Sequence, residues 1–134
     1  VEKILGKNFK NKKISFLGVT FKPNTDDMRD SCSLIMIPFL SKKGAILSYY
    51  DPTGKKDSFK NIKNLKYYNN VKAACKNADL IILHTEWDEF KSLDFKRLVK
   101  KNNFKIYDLR NLYNQDEMFK KNIKYYSIGR PNIK

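Results

Sequence analysis

The segment DLIILHT, residues 79–85, decides the fold class of this chain. An acidic residue precedes an uninterrupted apolar run that starts at Leu80 and stops before the polar His84 and Thr85. A short apolar run bounded by polar residues is typical of a strand buried on both faces. By the same reasoning we predict strands in KKISFLGV (12–19), AILSYYDP (45–52), FKIYDLR (104–110) and KYYSIG (124–129).

Segments with helical spacing separate these strands. Beyond the loop that follows the first strand, Asp30 or Ser31 is placed to cap a helix, and Gly44 is placed to end it. Pro38 lies inside this helix and is expected to kink it. The predicted apolar face of the helix consists of Leu34, Ile35, Ile37 and Leu40. Shorter helices are predicted over residues 71–76, 93–101 and 115–121.

The alternation of strands and helices predicts the layers of the fold. Strands joined through helices pair in parallel, and right-handed crossovers cover both faces of the sheet. The expected fold class is therefore α/β, a Rossmann-like three-layer sandwich with a mainly parallel sheet. The length of 134 residues suits one domain, and a hydrophobic content of 41% excludes wholesale disorder.

The net charge of +14 raises the possibility of a nucleic-acid-binding module. The basic residues are 24 Lys and only 4 Arg, and the lysines are scattered along the chain as single residues and pairs. Nucleic-acid binders usually cluster Arg and Lys with aromatic residues on one surface. We therefore interpret most of the lysines as solvated, and nucleic-acid binding stays the alternative hypothesis.

The sequence predicts neither a membrane span nor a metal site. No apolar run approaches the roughly 18–20 residues that cross a bilayer, and the first residues do not form a signal peptide. Cys32 and Cys75 make neither a disulfide framework nor a zinc set. His84 is the single histidine, and we interpret it as a structural residue. The cysteine usage predicts a reducing, cytoplasmic location.

Polar residues follow the predicted strands at the point where each one ends. Ligands of parallel α/β sheets bind outside the carboxyl ends of the strands. Lys22 follows the first strand and Arg110 follows the strand at 104–110, so two cations are expected at one edge, where a diphosphate would fit between them. In the alternative reading, Arg110 pairs with Asp108 and Lys22 is simply solvated. The glycine pattern Gly-x-Gly-x-x-Gly is absent, which argues against a self-sufficient dinucleotide site.

Five motifs in order resemble one known family. They are LGVTFKPNTDDMRDS (17–31), GAILSYYDP (44–52), ADLIILHTEWDEFKSLDF (78–95), YDLRNLYNQDEM (107–118) and YYSIGRP (125–131). Together they resemble the carboxyl-terminal, UDP-binding domain of the UDP-glucose/GDP-mannose dehydrogenase family, over about residues 10–131.

The resemblance implies roles for individual residues. Phe21 and Lys22 would help to hold a UDP-sugar, with UDP-glucose as the expected substrate, and Arg110 would hold the UDP moiety. Arg29 would reach NAD across a domain interface. The aspartates around Arg29 would orient its loop, and an ion pair between Arg29 and one of them is the alternative to cofactor binding.

The resemblance also implies what lies outside this chain. In the family, the sugar C6 alcohol is oxidised to a carboxylate in two NAD-dependent steps through a cysteine-bound intermediate. That cysteine belongs to a middle domain and the main NAD site to an amino-terminal domain, so no catalytic residue is assigned here. Residues 1–10 are expected to be the tail of a connecting segment and 11–134 the UDP-binding domain. Expected partners are the chain's own other domains and a second copy in a homodimer. Dehydrogenases of GDP-mannose or of N-acetylated UDP-sugars stay open as alternatives.

Overall fold

The computed structural model describes residues 1–6 and 8–128. In that part of the chain, six strands form one sheet in the spatial order β3-β2-β1-β4-β5-β6, and every neighbouring pair is parallel. The strands are β1 (Lys13–Leu17), β2 (Ile46–Tyr50), β3 (Leu65–Tyr67), β4 (Leu80–Leu83), β5 (Lys105–Asp108) and β6 (Lys124–Ser127). This order is that of a doubly wound sheet, and the predicted fold class is confirmed. The end of the predicted strand 124–129 and of the last motif lies outside the described residues.

Short helices and 3₁₀ turns lie before and between the strands. They are α1 (Glu2–Leu5), α2 (Ser33–Lys42), α3 (Val71–Cys75), α4 (Phe95–Val99) and α5 (Gln115–Lys120), with 3₁₀ turns at Asp57–Phe59 and Asp88–Phe90. Side chains of Asn70, Asp94 and Asn114 accept hydrogen bonds from the first turns of α3, α4 and α5. These caps satisfy backbone N–H groups that have no partner inside the helix.

Helix α2 differs from its prediction in two respects. Its N-cap is Cys32, whose side chain makes no capping bond, and Asp30 is not the cap. Ser31 lies one residue before this N-cap, but its hydroxyl accepts from the backbone N–H of Ser33 at 3.3 Å. Its buried face is Ser33, Ile37 and Leu40, whereas Leu34 and Ile35 are 37% and 77% exposed. The physical reason is that the Ser33 hydroxyl donates to the Val19 carbonyl oxygen, 2.6 Å away, which turns this polar residue toward the sheet. The helix runs through Pro38 without interruption.

Two apolar clusters lie on the two faces of the sheet. Because side chains alternate along a strand, Phe16 of β1 belongs to one cluster and Leu17 to the other. All four residues of β4 are buried, as predicted for the central strand. Ile4 and Phe9 join the first cluster, so the residues before β1 pack against the sheet. The proposed boundary at residue 10 stays a prediction.

Within the described residues, no helix is both long enough and apolar enough to cross a membrane.

Candidate functional site

The loop after β1 passes close to the loop after β4 at the carboxyl edge of the sheet. Gly18 has a φ of +79°, and a Cβ at this position would lie 2.6 Å from the Cβ of Thr85. A glycine is therefore required both for the backbone conformation and for the space. The Thr85 hydroxyl donates to the Thr20 carbonyl oxygen over 2.7 Å and fixes the two loops together.

Asp51 fastens the same loop to the end of β2. One oxygen of this buried carboxylate, Oδ2, accepts from the backbone N–H of Val19 at 2.8 Å. The other, Oδ1, accepts from the backbone N–H and the hydroxyl of Thr53. The carboxylate thus shapes the edge of the sheet, and both of its oxygens accept hydrogen bonds in doing so.

Arg110 joins three loops of this edge. Its backbone follows β5, its Nε donates to the His84 carbonyl oxygen at 2.9 Å, and its Nη2 donates to the Phe21 carbonyl oxygen at 3.0 Å. Among the described residues nothing accepts from Nη1. The guanidinium is therefore held in position and keeps N–H donors that no described residue occupies.

Asp108 builds the turn that carries Arg110. The buried carboxylate accepts from the backbone N–H groups of Arg110 (2.9 Å), Leu112 (2.7 Å) and Tyr113 (3.2 Å) and from the Tyr125 hydroxyl (2.6 Å). Its contact with Arg110 is with the backbone and not with the guanidinium. The alternative in which Arg110 forms an ion pair with Asp108 is therefore wrong.

Phe21 and Lys22 lie beside the Arg110 guanidinium on the loop after β1. The Phe21 side chain is 48% exposed, which is unusual for a large aromatic residue, and Lys22 is exposed. The Lys22 carbonyl oxygen accepts from the Thr20 hydroxyl at 3.0 Å, and this contact orders the turn. The structure thus brings Phe21, Lys22 and Arg110 to one edge, as the sequence predicts. Their roles as ligand-binding residues stay predictions.

Arg29 lies further along the same loop, where it pairs with Asp27. Its Nη2 is 2.8 Å from Asp27 Oδ2, and its side chain is 87% exposed. The hydrogen bond from Arg29, more than any other contact, lowers the pKa of Asp27 to about 2. The ion pair that is the alternative to cofactor binding by Arg29 is present. It occupies only part of the guanidinium and does not test the cofactor role.

His84 is a buried residue in the centre of the edge. Burial, with a smaller effect from the Arg110 charge, lowers its pKa to about 4, so the ring is neutral near pH 7. Its Nδ1 lies 3.0 Å from the Thr85 hydroxyl oxygen, whose proton is already donated to Thr20. Nδ1 is therefore the protonated nitrogen, and the burial and bonding of this histidine agree with the structural role that we expect for it.

Sequence reasoning missed Asp51 and Thr85 as the residues that shape the site. The available signal was their position directly after strands, but spacing does not show which backbone groups they bond.

The part of the chain that the structure describes contains no group of three or more His, Cys, Asp or Glu placed to hold a metal ion. A cavity of about 580 Å³ between α4 and α5 is lined by Leu93, Phe95 and Tyr113, among others, and by none of the predicted ligand residues.

Fold and site together define a class: a doubly wound α/β domain with cationic side chains at the carboxyl edge of its sheet, the edge at which sheets of this kind bind ligands. Residues 15–115 match the family described as "UDP-glucose/GDP-mannose dehydrogenase family, UDP binding domain". The chain belongs to this family.

Similarity to individual known proteins supports that assignment. The chain is 43% identical over 130 residues to a UDP-glucose 6-dehydrogenase of Rhizobium meliloti, a match that covers 95% of this chain and 29% of the relative. A UDP-glucose 6-dehydrogenase of Rickettsia felis is 37% identical over 94% of this chain and 29% of its own length. The crystal structure of NDP-N-acetyl-D-galactosaminuronic acid dehydrogenase from Methanosarcina mazei superimposes with a TM-score of 0.80 at 28% identity, over 96% of this chain and 27% of that one. The chain thus spans less than a third of the length of these relatives.

Proposed function

We propose that this domain binds the UDP moiety of UDP-glucose in an NAD-dependent UDP-glucose 6-dehydrogenase, which oxidises UDP-glucose to UDP-glucuronate. The observation that carries the proposal is the Arg110 guanidinium, which is tied to two loops of the carboxyl edge and keeps open donors. Support for the substrate comes from the names of relatives that are 37–43% identical to the chain.

The proposed ligand contacts follow from the chemistry of a diphosphate. Arg110 offers planar N–H donors that match phosphate oxygens, and Lys22 adds a mobile positive charge beside it. The half-exposed Phe21 ring offers an apolar surface to the sugar nucleotide. This edge supplies one side of the binding site, and we assign the other side to the remaining domains of the full-length enzyme.

Arg29 is the proposed contact with NAD. Its exposed guanidinium has N–H groups that Asp27 leaves open, and these suit an anionic cofactor phosphate. NAD supplies the hydride acceptor for the oxidation. The residues of this domain would bind and orient ligands, and the nucleophilic cysteine that forms the covalent intermediate would belong to another domain.

The remaining partners and the location are part of the same proposal. The other domains of the full-length chain would bind most of NAD, and the full-length enzyme would be a cytoplasmic homodimer. The isolated domain is expected to have no dehydrogenase activity.

A thermal-shift titration of the 134-residue domain tests the UDP assignment. A ligand that binds only the native state stabilises it by about 2.7 kcal/mol at a hundred times its Kd. We expect UDP and UDP-glucose to raise the Tm of the wild type, and we expect no such shift in Arg110→Ala. The matched control is Arg97→Ala, because Arg97 is an exposed arginine that lies in helix α4 and not in the loops that carry the proposed site.

Two further ligands complete the titration. GDP tests the GDP-mannose alternative, and a short single-stranded oligonucleotide tests the nucleic-acid alternative, for which the shift would disappear as salt is raised. A UDP shift that survives Arg110→Ala would contradict the role of Arg110. If the isolated domain gives no UDP shift, the titration is repeated on the full-length enzyme. Absence of a shift there would refute the proposal.

A further inference from the structure

Asp27 holds Arg29 through a two-pronged contact. The Arg29 Nε lies 3.0 Å from Asp27 Oδ1 and 3.1 Å from Oδ2, and Nη2 lies 2.8 Å from Oδ2. The backbone N–H of Arg29 also donates to Oδ1 at 2.9 Å. One carboxylate therefore fixes both the backbone and the guanidinium of Arg29, although the side chain of Arg29 is 87% exposed.

The backbone of Asp27 is hydrogen-bonded to Phe21, a residue that we propose for the nucleotide-sugar site. Its carbonyl oxygen accepts from the Phe21 N–H at 3.4 Å, and the Phe21 carbonyl oxygen accepts from Arg110 Nη2 at 3.0 Å. Lys22 is also close enough for its charge to lower the pKa of Asp27. A continuous chain of contacts thus runs from Arg29 through Asp27 and Phe21 to Arg110.

We infer that Asp27 is a positioning residue that pre-orients the Arg29 guanidinium toward a cofactor phosphate. This inference rests on the proposed function, in which Arg29 contacts NAD. An unrestrained arginine loses rotamer freedom when it binds a ligand, and a carboxylate that already holds Nε and one Nη2 N–H reduces that loss. The remaining donors, on Nη1 and Nη2, are available to the ligand.

Asp27→Asn in the full-length enzyme separates this role from a structural one. Asn is isosteric and keeps an oxygen that can accept from the Arg29 backbone. It loses the negative charge and the second oxygen that accept from the Arg29 guanidinium. The Asp27 carbonyl, which accepts from Phe21, is unchanged. Exposed ion pairs contribute little, so we expect the Kd for NAD, measured by calorimetric titration without substrate, and KM for NAD each to rise about two- to fivefold, with kcat and KM for UDP-glucose unchanged.

Asp26→Asn is the matched control. Asp26 is the adjacent carboxylate, and its substitution changes the charge by the same amount, so it reports any purely electrostatic effect on the cofactor. Arg29→Ala is measured alongside and is expected to raise KM for NAD about tenfold or more, because charged hydrogen bonds are lost. Adding Asp27→Asn to Arg29→Ala should then have no further effect, because Asp27 acts through Arg29.

The outcomes separate this inference from the proposed function. If Arg29→Ala raises KM for NAD but Asp27→Asn does not, the positioning role is wrong and the cofactor role of Arg29 stands. The inference is overturned if Asp26→Asn raises KM for NAD as much as Asp27→Asn does. It is also overturned if the effects of Asp27→Asn and Arg29→Ala add, because Asp27 then does not act through its contact with the Arg29 guanidinium. If Arg29→Ala leaves KM for NAD unchanged, both the inference and the NAD contact are refuted, while the UDP titration still decides the nucleotide-sugar assignment.

Discussion

Nη2 of Arg110 donates to the carbonyl oxygen of Phe21 over 3.0 Å, although the two residues are 89 positions apart in the sequence. The contact connects the loop after β5 with the loop after β1, across the intervening strand β4. Because Nε of the same guanidinium bonds the His84 carbonyl oxygen, the side chain has little freedom to rotate. An arginine held in this way presents its open donors in one fixed direction.

Arg110→Lys in the full-length enzyme is expected to raise KM for UDP-glucose about tenfold or more. Lysine keeps the charge but cannot bond two carbonyl oxygens and a phosphate with one rigid planar group. Steady-state kinetics at saturating NAD measures this change. Arg97→Lys serves as the control and should leave KM unaltered. A normal KM in Arg110→Lys would show that charge alone suffices at this position.

Gly18→Ala is expected to destabilise the domain more than Gly54→Ala. Both glycines have positive φ, so each substitution carries a backbone cost of about 1–2 kcal/mol. Nothing lies within 4 Å of a Cβ built at Gly54, whereas at Gly18 the new Cβ meets Thr85. Displacing Thr85 also disturbs its bond to Thr20, which adds about 1 kcal/mol or more. Urea denaturation of the two variants tests the difference, and equal losses would contradict the close approach.

Asp108→Asn is expected to reduce the free energy of unfolding by about 1–3 kcal/mol. Both carboxylate oxygens accept hydrogen bonds, and an amide in this buried place would direct an NH₂ group at one set of donors. Asp116→Asn, at an exposed position in α5, is the comparison and should change stability little. The measurement is chemical denaturation followed by circular dichroism. If Asp108→Asn leaves the free energy of unfolding unchanged, the turn does not depend on the charge of Asp108.

The stability of the domain is expected to fall by about 2 kcal/mol between pH 7.5 and pH 5 because of His84. The pKa of His84 is about 4 in the folded state, below the ordinary value of 6.5. As the pH falls below 6.5, the unfolded chain binds a proton that the folded chain does not bind. The free energy of unfolding therefore decreases, and this decrease levels off at about pH 4.

Denaturation curves at several pH values measure this slope. His84 is the only histidine in the 134 residues, so His84→Gln should remove most of the slope between about pH 6.5 and pH 5. An unchanged slope in this variant would assign the pH dependence to other groups.

The most secure strand predictions rest on residues whose burial is evident in their own sequence. Leu80–Leu83 is apolar at every position because both faces of the central strand are covered, and a short run of this kind between polar residues favours a buried strand. Strand β3, Leu65–Tyr67, was not predicted, because three residues of mixed character make no pattern. It is a strand because its backbone pairs with β2.

The error in α2 has a similar origin. Counting apolar residues placed Leu34 and Ile35 on the buried face, but Ser33 takes the inward position through its bond to Val19. A hydrogen bond between residues 14 positions apart outweighs the local hydrophobic pattern, and periodicity alone carries no information about it.

The sequence by itself determined five of the six described strands, the fold class, and the identity of the residues that follow each of those strands. It could do so because short apolar runs in the local sequence mark buried strands, and strands joined through helices run parallel and therefore end at one edge of the sheet. Only the tertiary structure decided how those residues are used. Arg110 bonds the carbonyl oxygens of Phe21 and His84 and not the carboxylate of Asp108, while Asp51 and Thr85 secure the edge. These choices depend on distances between loops that are far apart in the chain, and they arise only when the sheet brings those loops together.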